Sequence, residues 1–326
     1  MYKTPKNCRK KKPKSKDYNF CDNTKIITVI FLIIIYIISN ISFNKEEDKK
    51  FITNFNYTNY ETFIITKDME KKAGWMYMNS NQYYLINGII RKHKPKMCLE
   101  VGVALGGSSI LILNAIKDIK DSSLVSLDLN TNLYFNSRYK TGYRVKMYSP
   151  ELTNKWQLYT GEQPHVFLEK LKLKYDFVFL DTAHITPGEI INLIEILPFL
   201  KENAIIILHD IVWHFSKEAN SNKIISISSP TLVLMSSLRG DKIILKDKLN
   251  IENMGAIFLY QNQEKYYLDY FLLLLNFWEY MPSEKQIEEL RVFIKKYYDK
   301  DLYLLIFESA IRNNKNYVNK LKKIIF

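Results

Sequence analysis

An open α/β sheet, mostly parallel and twisted, with helices on both faces, is the fold class that the sequence predicts. Three observations predict it. Short runs that are apolar throughout alternate with stretches of helical period, the pattern of strands covered on both faces. Glycine is scarce at 10 residues, yet Gly102, Gly106 and Gly107 all follow the first apolar run. Later runs end in acids and histidines, at the strand ends where ligands bind in such sheets. Hydrophobic residues are 47% of the 326 and charged residues 25%, which allows a substantial core.

The elements follow in order. Residues 81–93 carry apolar side chains at helical spacing, and Pro95 ends them. Met97–Val101 reads as the first strand and Ser108–Ile119 as the next helix. Further strands are expected at Leu124–Leu129, Trp156–Tyr159, Phe177–Leu180, Ala204–Leu208, Lys242–Leu245 and Gly255–Tyr260. Val166–Leu173 and Gly188–Leu200 read as helices between them. Residues 263–326 form a helical extension of three or four helices, broken at Pro282. That extension suits a lid, an oligomer contact such as a homodimer, or an acceptor site. Its Tyr266, Tyr267, Tyr270 and Trp278 suit core packing better than stacking on a sugar.

The chain ahead of this domain is of another kind. The whole protein has a formal charge of +13, and residues 1–25 hold nine Lys/Arg against Asp17 and Asp22. A basic balance of that origin is a poor reason to expect nucleic acid and a better one to expect anionic headgroups. Residues 26–43 are uncharged and as a helix would reach about 27 Å, enough for a short membrane anchor. Residues 44–80 read as a linker, and 81–262 as the folded domain. Cys8, Cys21 and Cys98 have no zinc or disulfide spacing, and Cys98 reads as a core residue.

The residues after each strand carry the chemistry. Glu100-Val101-Gly102-Val103-Ala104-Leu105-Gly106-Gly107-Ser108 gives a tight turn opening a helix, suited to an anionic group. The spacing is Gly-x-x-x-Gly-Gly, so the dinucleotide fingerprint is not met. Glu100 suits a ligand ammonium. Asp128 ends the second strand, where an acid can accept from ribose hydroxyls. Glu162 and Gln163 follow the third strand and suit a base ring. Asp181 and His184 follow the fourth strand; Asp210 and His214 follow the fifth. Neighbouring parallel strands bring Asp181 and Asp210 together, where their charges need compensation. A divalent cation such as Mg2+ or a metal-free His/Asp pair would serve, with His184 or His214 taking a proton. His93 reads as solvated and His165 as the start of a helix.

Taken together, LEVGVALGGSS at 99–109, SLDLN at 126–130, the Gly161 segment, YDFVFLDTAH at 175–184 and AIIILHDIVWH at 204–214 resemble the class I S-adenosylmethionine-dependent methyltransferases. The likeness is to their O-methyltransferase branch and "family 24" type domains, and covers residues 80–262. It implies a Rossmann-like sheet of seven strands and S-adenosylmethionine as cofactor. Glu100, Gly102, Gly106 and Ser108 would hold the methionine part, Asp128 the ribose, and Glu162 and Gln163 would lie near adenine. Asp181 and Asp210 would match two metal-binding acids, although Ile211 stands where the metal-dependent members often have Asn. The Asp-x-x-His at 181–184 points to a hydroxyl on a sugar, glycan or other small molecule. A cytosolic cofactor argues for a membrane-anchored domain on the cytoplasmic side, against the charge rule, which would export it. Competing readings keep the fold with nicotinamide or hydroxylase-like chemistry, or make the chain a membrane-tethered interaction protein.

Overall fold

Seven strands form one sheet in the order β5-β2-β1-β6-β7-β9-β8. The computed structural model describes residues 78–134, 136–212, 229–244, 253–299 and 301–325. They belong to one compact unit. The basic tail, the apolar segment 26–43, most of the linker and His214 lie outside the described residues. Among the described residues, no helix is long and apolar enough to cross a membrane.

In chain order, the strands are β1 (Met97–Val101), β2 (Ser123–Asp128), β3 (Asn132–Leu133), β4 (Asn136–Lys140), β5 (Trp156–Thr160), β6 (Tyr175–Leu180), β7 (Leu200–His209), β8 (Gly240–Ile244) and β9 (Met254–Leu259). β3 and β4 pair only with each other. The helices are α1 (Ser80–His93), α2 (Gly107–Ile116), α3 (Tyr143–Tyr148), α4 (Pro164–Leu171), α5 (Gly188–Ile196), α6 (Pro230–Ser237), α7 (Tyr267–Leu272), α8 (Glu284–Tyr297) and α9 (Asp301–Ile325). β5, β2, β1, β6 and β7 run parallel. β9 runs antiparallel to both β7 and β8, so the edge strand β8 again points the same way as β7.

Side chains alternate across each strand, and the two faces bury separate cores. Cys98, Leu124, Phe177, Phe179, Ile205 and Ile207 pack with α1 and α2 on one face. Leu99, Val125, Val178, Leu180, Ile206 and Leu208 pack on the other with α5 and the C-terminal helices. Both faces being buried explains the continuous apolar runs. Helix ends follow local chemistry: Asn79 and Gln82 form a capping box on α1, as Ser283 and Gln286 do on α8.

All seven sheet strands fall where the apolar runs place them. The β3–β4 hairpin was not expected, because β4 is exposed throughout and has no apolar alternation. β7 begins at Leu200, earlier than the expected Ala204, and its first residues are polar and largely exposed. The C-terminal extension is part of the core: Tyr270, Phe271, Trp278, Phe293 and Phe307 are buried. Tyr270 and Trp278 are thereby unavailable to a sugar ring. Cys98 is buried and His93 exposed, as read.

Candidate active site

The glycine turn after β1 is shaped by what it must approach. Gly102 has φ +91°, and a Cβ there would meet the Asp181 carbonyl oxygen at 1.7 Å. No side chain fits that contact, so glycine alone lets the β1 turn lie against the end of β6. Gly106 has φ +91° and caps α2 without a side-chain bond. The helix therefore opens with backbone N–H groups at its end.

Glu100 lies beneath this turn. Its side chain is fully buried and accepts hydroxyls from Ser108 at 2.5 Å, Ser109 at 2.6 Å and Ser126 at 2.6 Å. The Trp156 indole N–H donates in turn to Ser126 at 2.9 Å. Burial raises the Glu100 carboxyl to about 7, against the pull of the three hydroxyls. The side chains of Glu100 and Ser108, both expected near a ligand, therefore face each other. They are bonded to each other inside the fold, and what they hold is the turn.

Asp128 ends β2 as expected, but it also reaches the turn. Oδ2 accepts the backbone N–H of Val103 at 2.9 Å and of Ala104 at 3.0 Å. Oδ1 accepts the Asn130 N–H at 2.7 Å. A carboxylate has about four lone-pair sites, so about one remains open on Oδ1. Gly161 N–H donates to the Asp128 carbonyl at 3.0 Å, which brings the Glu162–Gln163 segment beside Asp128. Glu162 pairs with Lys285 of α8 at 3.3 Å, and Gln163 occupies the N-cap position of α4.

At the ends of β6 and β7 the expected acids meet. His184 Nε2 lies 3.0 Å from Asp210 Oδ2 and 3.3 Å from Asp181 Oδ1. Donor atoms of Asp181, His184 and Asp210 all lie within 4.8 Å of one another. The register Leu180↔Leu208 places Asp181 beside His209, whose Nδ1 is 3.3 Å from Asp181 Oδ2 and 3.5 Å from Asp210 Oδ1. Burial lowers the affinity of both imidazoles for a proton, but the carboxylates outweigh it. His184 is held well above its usual value, mainly by Asp210 and Glu189, and His209 is raised by Asp181 and Asp210. Burial pushes the Asp210 carboxyl up, but His209 and His184 bring it to about 2.

His209, directly before Asp210, is buried against both acids. Sequence reading missed two further neighbours. Asn253 donates its amide to Asp210 Oδ1 at 2.7 Å; it is 43 residues away, and only the antiparallel entry of β9 brings it there. Glu189 accepts the His184 backbone N–H at 2.5 Å, and an acid at a helix start was its one sequence signal. The extension also reaches the site: the N–H of Glu279 donates to the Thr186 carbonyl at 2.8 Å, and its carboxylate accepts the Thr186 N–H at 2.9 Å.

Residues 99–211 match the model of a family described as a methyltransferase domain. Among solved structures, the chain is similar to the O-methyltransferase TomG of Streptomyces achromogenes, involved in tomaymycin synthesis and seen with S-adenosylmethionine. That likeness has 14% identity, covers 66% of this chain and 96% of that one, and has a TM-score of 0.43. A methyltransferase of Podospora anserina with bound S-adenosylhomocysteine gives 18% identity, 68% and 97% coverage, and a TM-score of 0.46. An O-methyltransferase of Bacillus cereus gives 12%, 64% and 96%, and 0.42. No curated protein matches the sequence. Residues 99–211 of this chain are thus similar to a methyltransferase domain.

Proposed function

We propose that the domain transfers the methyl group of S-adenosylmethionine to a hydroxyl oxygen of a sugar, glycan or other small molecule. One observation carries this reading. The Asp181–His184–Asp210 cluster adjoins the glycine turn so closely that a Cβ on Gly102 would strike Asp181. A donor held at the turn and a proton acceptor at the acids are then neighbours.

The cofactor supplies an electrophilic methyl group. The uncapped start of α2 suits its carboxylate, and the open site on Asp128 suits a ribose hydroxyl. Glu162 and Gln163, beside Asp128, are the candidates for adenine. His184 takes the acceptor's proton, and Asp181 and Asp210 orient its ring and stabilise its charged form. Two carboxylates and an imidazole within 4.8 Å also fit a divalent cation such as Mg2+, which would lower the pKa of an acceptor hydroxyl. A metal-free version has its own support, since His184 and His209 already lie against both acids and offset their charge. We place the domain at a membrane, on its cytoplasmic side, through residues 26–43.

Calorimetric titration with S-adenosylhomocysteine, with and without magnesium, tests the reading. Micromolar binding is expected, weakened about tenfold or more in Asp128→Ala, a loss of about 1.4 kcal/mol. No binding by the folded protein would overturn it. Turnover abolished by chelator would establish the metal version, and full turnover the His/Asp version.

A further inference from the structure

The β3–β4 hairpin and α3 present a surface that the candidate site does not use. Between Asp128 and Glu151 the chain has Arg138, Lys140, Arg144 and Lys146 and no acid. Arg138, Lys140 and Lys146 are exposed, and among the described residues no carboxylate pairs with them. The C-terminal helices differ: Lys285, Lys296 and Lys315 each stand against a glutamate. The same stretch holds Leu129, Tyr134, Tyr139, Met147 and Tyr148, five of the eleven exposed large apolar side chains among the described residues. Single exposed apolar residues are ordinary, but a concentration of them beside uncompensated cations marks a contact surface.

The pieces adjoin. The Tyr139 ring stacks on Tyr143 at 4.7 Å, with 25° between the planes. Met147 follows Tyr143 by one turn of α3 and so shares its face. Arg138 and Lys140 leave β4 on the face opposite Tyr139. β4 pairs on one edge only, with β3, and long basic side chains reach round its open edge. This surface is tied to the glycine turn. The N–H of Gly142 donates to the Ala104 carbonyl at 2.8 Å, and that of Arg144 to the Leu105 carbonyl at 3.2 Å.

We propose that the β3–β4 hairpin and α3 dock on an anionic membrane surface, with Tyr139, Tyr143 and Met147 in the interface and Arg138, Lys140 and Lys146 on lipid headgroups. Tyrosine rings settle at headgroup depth, and each cation near an anionic leaflet adds its own attraction. Single-stranded nucleic acid also takes rings and cations, but Leu129 and Met147 give a base no ring to stack on. Docking there brings the glycine turn close to the lipid surface. The proposal rests neither on methyl transfer nor on residues 26–43.

The test is hydrogen exchange of the full chain with phosphatidylcholine vesicles, made with and without phosphatidylserine. Exchange at residues 129–148 should slow severalfold on the phosphatidylserine vesicles alone, and high salt should reverse it. The triple variant Arg138→Glu, Lys140→Glu, Lys146→Glu changes exposed side chains only, so it should fold and lose the slowing. An anchor at residues 26–43 acting alone would leave residues 129–148 exchanging alike on both vesicles, and that result would overturn the proposal. A basic tail acting alone would leave variant and wild type alike, which would overturn it too. Slowing by a single-stranded oligonucleotide and not by vesicles would assign the surface to nucleic acid instead.

Discussion

Glu100 shows how one residue can tie a site to the acidity of its surroundings. Its carboxyl titrates near 7 in the fold against 4.5 ordinarily, so between those values the folded chain binds the extra proton. Stability must then fall as pH rises from about 4.5 to about 7, by up to about 3 kcal/mol. Glu100→Gln should flatten that slope in denaturant titrations across the window; an unchanged slope would exclude Glu100 as its source. His184 and His209, also raised, contribute stability that is present below their ordinary value of 6.5 and lost as pH rises through their raised values. Asp210, brought to about 2, contributes stability that is lost as pH falls from its ordinary value of 3.8 towards 2. At this scale the sequence was legible by type more than by role. Asp128, Asp181, His184 and Asp210 stand where strand ends predict. Glu100 faces inward, and the clue was present: it sits in an apolar run, and its partners Ser108, Ser109 and Ser126 belong to two separate elements. Pairing across elements is what a linear reading does not display.

Among elements, the parallel strands were the most legible, because burial on both faces leaves no polar alternation to misread. The β3–β4 hairpin was the least legible. The C-terminal helices read correctly as helices, but their attachment to the site did not show. The segment after α7 reaches it through Glu279 and Thr186, and α8 through Lys285 and Glu162. The exposed Lys285 pair contributes little to stability, so the apolar anchor matters more. Trp278 is fully buried, its indole donating to the Leu274 carbonyl at 2.8 Å and its backbone N–H to Asn314 at 2.9 Å. Trp278→Ala should cost about 3–5 kcal/mol and raise hydrogen exchange at residues 184–189. Exchange unchanged there, with the stability loss present, would separate the extension from the site.

For the whole molecule, residues 26–43 form an uncharged stretch behind a basic tail. If they hold the chain at a membrane, deleting residues 1–43 should move it to the soluble fraction on cell fractionation; a deleted chain that still pellets with membranes would rule that anchor out. Within the sheet, the reversed strand β9 has a consequence of its own. β7 ends, β8 ends and β9 begins at one rim, above Asp210 and Asn253. The turns that follow β1, β2 and β5 occupy the other half of that rim. That rim is thus divided into a half set by the parallel strands β1, β2 and β5 and a half set by the reversed strand β9, and the acids at the ends of β6 and β7 stand where the two halves meet.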